Sequence, residues 1–118
     1  MDASVTFYGS YKRKFTGGRT FSGASNESFA EYNVPADCYA MAFLSSTTHL
    51  TGTPIVTLFC SQDAQLMIAS STTQSIMVPG VVFLGPGQQL ATGVNYQGVA
   101  GSMSLTYTVI EFYANVSL

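Results

Sequence analysis

Every positively charged side chain of this 118-residue chain lies in "YKRKFTGGR" (11–19): Lys12, Arg13, Lys14 and Arg19. Ammonium and guanidinium groups gathered this closely bind carboxylates or phosphates. The aromatic residues threaded among and beside them, Tyr8, Tyr11, Phe15 and Phe21, supply rings that can be buried next to such pairs. The charge is divided along the chain. Residues 1–19 carry four cations and Asp2, a net of +3, whereas residues 20–118 carry Glu27, Glu31, Asp37, Asp63 and Glu111 and no cation, a net of −5. The expected chemistry is therefore protein docking, with Tyr8, Tyr11, Lys12, Arg13, Lys14, Phe15, Arg19 and Phe21 meeting an acidic surface. Two other readings stand beside it. One is a solvated tail whose cations keep an acidic chain soluble. The other is a nucleic-acid contact that pairs phosphates and stacks bases, against which weigh the small number of cations and a sequence pI near 5.0.

Catalytic chemistry has little to draw on. His49 is the single histidine and lies in the turn-like "SSTTHLTG", where an exposed loop residue is expected. With six acidic residues any carboxylate pair can be nominated, so nomination carries no information. "GPGQQ" lacks the Lys-Ser/Thr of a phosphate loop and reads as a tight hairpin turn. Cys38 and Cys60 have neither CxxC spacing nor companion histidines, which argues against zinc and for small buried residues. The sequons at Asn26 and Asn115 read as chance matches. No catalytic, cofactor-binding or metal-binding residue is assigned, and an enzyme is not expected.

Composition constrains the setting. Charged residues make up 8% of the chain, against about 25% in ordinary soluble domains, while hydrophobic residues reach 47%. So little charge cannot cover a lone surface, which predicts that much of it is buried against copies of itself or other proteins. The longest apolar stretch, "IMVPGVVFLGPG", is broken by prolines and glycines and falls short of the ~20 residues of a membrane-spanning helix. The opening "MDASVTFYGS" shows no basic segment followed by an apolar one, so synthesis in a reducing cytoplasm is expected.

The elements that must position these residues are strands. "SMSLTYTVIEFY" alternates Met103, Leu105, Tyr107 and Val109 with Ser and Thr, then changes phase at Val109-Ile110, where a bulge or burial of both faces is expected. Further strands are predicted at 28–34, 38–45, 54–60, 64–70, 74–78, 81–85 and 88–93, separated by "VPAD", "LTGTP", "VPGV", "GPGQ" and "QGVAG". This succession predicts an all-β chain, an antiparallel β-sandwich of jelly-roll-like type over residues 28–118. Residues 1–27 read as an extended N-terminal docking arm with one strand at 4–11.

Over residues 30–114 the chain resembles the small β-sandwich modules of tailed-bacteriophage virion proteins. The resemblance rests on a "VPA" corner (Val34, Pro35, Ala36), a "GPG" turn before a "Q-x-L" strand (Gly85, Pro86, Gly87, Gln88, Leu90) and a closing "IEF" (Ile110, Glu111, Phe112). It departs at Asp37, where the corner usually has glycine. The resemblance implies a virion structural protein that needs no cofactor, often trimeric. Capsid decoration or cement protein, head-fibre accessory, and tail-fibre or baseplate adaptor are its possible forms. The implied partners are further copies of the chain and other virion proteins such as the major capsid protein. An alternative of another class is a carbohydrate-binding module that recognises host-surface glycans, with Tyr32, Tyr39 or Tyr96 as stacking platform.

Self-association follows from the composition. Sedimentation at micromolar concentration should give a symmetric assembly, expected as a homotrimer, whereas a clean species at the 12.5 kDa chain mass would count against it.

Overall fold

A computed structural model describes residues 10–61, 65–69 and 81–114. Eight strands fill them: β1 (Ser10–Gly23), β2 (Glu27–Asn33), β3 (Cys38–Thr51), β4 (Ile55–Cys60), β5 (Gln65–Ala69), β6 (Val82–Leu84), β7 (Gln89–Asn95) and β8 (Gly101–Tyr113). They form two four-stranded antiparallel sheets, β1-β8-β3-β6 and β2-β7-β4-β5, packed face to face as the predicted all-β sandwich. Strand partners are nested: β1 lies beside β8, β2 beside β7, β3 beside β6 and β4 beside β5. The chain is thus one long antiparallel ribbon folded over on itself, and the added pairs β3–β8 and β4–β7 complete the sheets. The predicted strand at 74–78 and most of the one at 4–11 lie outside the described residues.

Period-two alternation builds the core. Met103, Leu105, Tyr107 and Val109 of β8 face inward, as do Cys38, Ala40, Ala42 and Leu44 of β3. From the other sheet come Val56, Leu58 and Cys60 of β4 and Leu90 and Val94 of β7. A fully buried aliphatic side chain such as Leu58 or Leu90 contributes about 1.5–3 kcal/mol. Both cysteines are free and buried in this layer.

Three local expectations are corrected. β3 runs on to Thr51 rather than ending at residue 45, because the long β8 offers ladder partners throughout. Irregularities between Leu44 and Ser46 and between His49 and Thr51 break the alternation that would have marked it. His49 is therefore half-buried on a strand, not in an exposed loop, and its Nε2 lies 2.6 Å from the Gly52 carbonyl oxygen. The "GPGQQ" turn closes no hairpin, since it carries the chain from β6 in one sheet to β7 in the other. Gly87 has a φ of +78°, a conformation glycine adopts without strain.

Residues 10–23, expected within an arm, pair along β8 from Ser10–Tyr113 to Gly23–Gly101. Phe15, Gly17, Arg19 and Phe21 of β1 turn toward the other sheet. Gly17 leaves room for Tyr107, whose hydroxyl oxygen would lie 2.5 Å from an added Cβ. Gly17→Ala should lower stability by about 1–3 kcal/mol through this overpacking. Thr16→Ala, on the exposed face of the same strand, should stay within about 0.5 kcal/mol in urea unfolding.

Candidate functional site

The first charged side chains of β1 are aimed by a bulge. Register shifts between Tyr11 and Arg13, so the extra residue Lys12 and the next residue, Arg13, both turn to the rim of the sandwich, where they reach the Glu111 carboxylate. Opposite, on the edge strand of the other sheet, register shifts between Ala30 and Tyr32, which turns both Glu31 and Tyr32 inward. The two bulges deliver two cations and an acid–phenol pair to one open side of the sandwich.

Glu111 of β8 is the centre. It occupies the next inward position after Val109 and is fully buried. No bulge interrupts β8 at Val109-Ile110. The alternation runs on unbroken, with a carboxylate in a core position and Ile110 and Phe112 on the outer face. Arg13 donates from Nε to Oε1 at 2.5 Å and from a terminal nitrogen to Oε2 at 3.4 Å. The Tyr32 hydroxyl donates to Oε2 from the other sheet. Lys12 Nζ lies 3.8 Å from Oε1 and 3.5 Å from Cys38 Sγ. Burial pushes the Glu111 carboxyl up, but hydrogen bonds from Arg13 and Tyr32 outweigh it and leave it below the ordinary carboxylate range. Burial, then the bond to Glu111, pushes the Tyr32 phenol up.

A second carboxylate repeats the arrangement three repeats of the pleat further along β1. Glu31 Oε2 accepts from Arg19 Nε at 2.5 Å and from the Thr92 hydroxyl at 2.6 Å, and Oε1 accepts from the Tyr107 hydroxyl at 3.4 Å. Arg19 also lies 4.1 Å over the Phe29 ring and Arg13 4.6 Å over Phe15, adding cation–π contact. Phe15 packs edge-on against Tyr32 and Phe21 against Phe29. Of the proposed docking residues, Lys12, Arg13, Phe15, Arg19 and Phe21 are therefore engaged with the chain's own body. Tyr11 and Lys14 face outward, and Tyr8 lies outside the described residues.

On the outer face of β1-β8-β3-β6 these two residues join an apolar area. Register places Tyr11, Phe112 and Tyr39 in one row across three strands, and Lys14, Ile110, Met41 and Phe83 in the next across four. Tyr11 is 61% exposed and Phe83 44%. Phe43 follows beside Thr108, and most of the rest of that face is Ser and Thr, with Thr20 against Ser104 and Thr51 against Ser102. Lys14 makes no ion pair among the described residues.

The stretches that carried the resemblance meet at one end of the sandwich. Val34 N donates to the Gln88 carbonyl at 2.9 Å and Gly87 N to the Val34 carbonyl at 3.0 Å. Ala114 N donates to the Asp37 carbonyl at 2.8 Å, so the corner touches both the "GPG" turn and the segment after "IEF". Asp37 fits the corner without glycine: among described non-glycine residues only Gln97 has a positive φ. Of the tyrosines considered for sugar stacking, Tyr96 is buried and Tyr32 is committed to Glu111, while Tyr39 lies half-buried on the outer face. A different open groove of about 420 Å³ crosses β2, β7 and β4, where Phe59 lies over Gly93 beside Glu27, Ser28, Thr57 and Asn95.

No family model and no curated protein sequence matches the chain. Its fold is shared with a chain of the acid-stable capsid of the Helicobacter pylori bacteriophage KHP30. The two are 7% identical over 88% of this chain and 90% of that one, with a TM-score of 0.55. A chain of the disulfide-linked pili that form Bacillus endospore appendages aligns over 90% of this chain and 92% of its own, with 13% identity and a TM-score of 0.41.

The buried carboxylate makes stability depend on pH with a definite sign. Because the Glu111 pKa is depressed on folding, its contribution is complete above the unfolded value of about 4.3 and is lost as pH falls through the lower folded value. Arg13→Ala should therefore lower the melting temperature at pH 7, and lower it progressively less as pH falls through the depressed pKa of Glu111 and the carboxylate loses its charge. Because the Tyr32 pKa is raised, its contribution is complete below about 10 and fades above it. Tyr32→Phe should cost about 1–3 kcal/mol at neutral pH, from the acceptor left short of a donor, and should flatten the alkaline loss of stability.

Proposed function

We propose that the chain is a structural component of a bacteriophage virion: a small capsid decoration or cement protein, or a head-fibre accessory. The observation that carries this reading is the nested eight-strand order in two sheets, the order of a jelly roll, in a fold shared along most of its length with the KHP30 capsid chain. A rigid β-body of low charge suits a place in a multivalent shell, where many weak contacts add through effective concentration. Self-association as a homotrimer and contact with other virion proteins, such as the major capsid protein, belong to the same reading. A tail-fibre or baseplate adaptor is its variant, distinguished by copy number.

In this reading attachment runs through the N-terminal segment 1–27 and the outer face beside it. Tyr11 and Lys14 meet an acidic acceptor, flanked by Tyr39, Met41 and Phe112, while Arg13, Phe15, Arg19 and Phe21 fix the strand that presents them. A second reading, a glycan-binding module, has its place in the groove over Gly93, where the Phe59 ring lies among Glu27, Ser28, Thr57 and Asn95.

Quantitative mass spectrometry of purified virions should find the chain in many copies per particle, and its absence from particles would overturn the virion reading. Tyr11→Ala combined with Lys14→Glu should weaken binding to those particles at least about tenfold, or about 1.4 kcal/mol, with little change in melting temperature. Sugar binding on a glycan array, lost in Phe59→Ala, together with no affinity for particles, would favour the second reading.

A further inference from the structure

We propose that β1 is an exchangeable strand: in the assembled protein, residues 10–23 of one copy occupy the slot beside β8 of a second copy. The inference goes beyond the virion reading and does not depend on it. It starts from the segregation of charge. Every cation of the chain is on β1, and both carboxylates those cations reach inside the protein, Glu31 and Glu111, are on the body. Without β1 the body is a slot with a defined shape. It consists of the open edge of β8 from Gly101 to Tyr113, two inward carboxylates with only neutral hydroxyl donors left to them, and a gap in the core where Phe21 sits.

Whatever fills this slot must bring two cations and an aromatic ring at the spacing of Arg13, Arg19 and Phe21. The segment with that spacing is β1 itself, so the occupant is β1 of the same copy or of another. Nothing in the contacts distinguishes the two sources, because the ladder to β8, both ion pairs and the ring packing are the same in either case. The difference lies in the link. Three residues, 24–26, carry the chain from β1 in one sheet to β2 in the other. The four steps from Gly23 to Glu27 span at most about 13–14 Å when extended, against the ~10 Å between packed sheets. A link this short has little slack when it folds back on its own body, and a short hinge favours passage to a neighbour. Asn26 holds its far end, accepting from Tyr96 N at 3.0 Å, so the pivot falls at residues 23–25.

The test uses full-length chains in which one cysteine each is added to the buried native pair Cys38 and Cys60, with reductant present until refolding is complete. Thr20 and Ser104 are register partners on the outer face, their hydroxyl oxygens 3.0 Å apart. Thr20→Cys and Ser104→Cys are made singly and together. The double variant should oxidise readily, which shows that the bond can form. The two single variants are then unfolded together, refolded together at the concentration where the chain self-associates, and oxidised. A covalent heterodimer on a denaturing gel, absent when either single variant is treated alone, is the expected result. If the double variant closes its bond within one chain and the mixture gives no heterodimer, β1 stays with its own body and the proposal is wrong.

Discussion

A carboxylate in a core position governs this structure. Glu111 occupies an inward site on the central strand of its sheet, where the pattern of β8 would otherwise place an aliphatic residue, and an ionised group there is tolerated only with partners. Those partners come from both neighbouring layers: Arg13 and Lys12 from the edge strand beside it, and Tyr32 from the opposing sheet. One anion thereby ties β8, β1 and β2 together. Such a group is weak support for net stability, since an apolar residue of similar volume can serve as well, but it is demanding about geometry. A one-residue slip of β1 along β8 would swing Arg13 to the outer face and leave Glu111 without its guanidinium. For a strand whose middle reads Thr-Gly-Gly, with little apolar pattern to set its place, the ion pairs to Glu111 and Glu31 fix the register.

The same logic explains what could be read in the sequence and what could not. Most of β8 has one apolar face in simple alternation and β4 is a short apolar run, Ile-Val-Thr-Leu-Phe-Cys, and both fall close to where these patterns predict. β1 escapes that pattern because two of its four inward residues, Gly17 and Arg19, are not apolar, and because a bulge shifts the phase at Lys12. On paper β3 stops early for a similar reason, its second half being mostly Ser, Thr and His after an irregularity at Ser45. The change of phase near Val109 was visible, but its cause is a buried acid rather than an extra residue. The charge cluster at 12–19 was equally plain. Its partners were not, because Arg13 and Glu111 stand 98 residues apart and only the nested pairing of first and last strands brings them together.

The outer face of β1-β8-β3-β6 shows where a chain with so few charges places its polarity. One half is Ser and Thr, joined across strands by hydroxyl contacts. The other is aromatic and aliphatic, with Lys14 as the one cation there that makes no ion pair among the described residues. This gives the low charge of the sequence a location. The cations that look available on paper are mostly consumed in holding β1 to the body, and the surface available to a partner is apolar with a single basic point. Recognition by such a surface rests on shape and ring packing more than on steering by charge.

The pairing of Ser10 with Tyr113 also sets how the protein carries load. The first described strand and the last run side by side in opposite directions, so their outer ends leave the body at the same edge. Tension applied between those ends does not shear the ladder, which would strain all its bonds together; it peels β1 from β8 a few bonds at a time. The peel meets Arg13 and Glu111 almost at once and Arg19 and Glu31 two-thirds of the way along the strand. Each clamp acts as a catch, so a strand that unzips under force would do so in two steps, with the buried carboxylates as its stops.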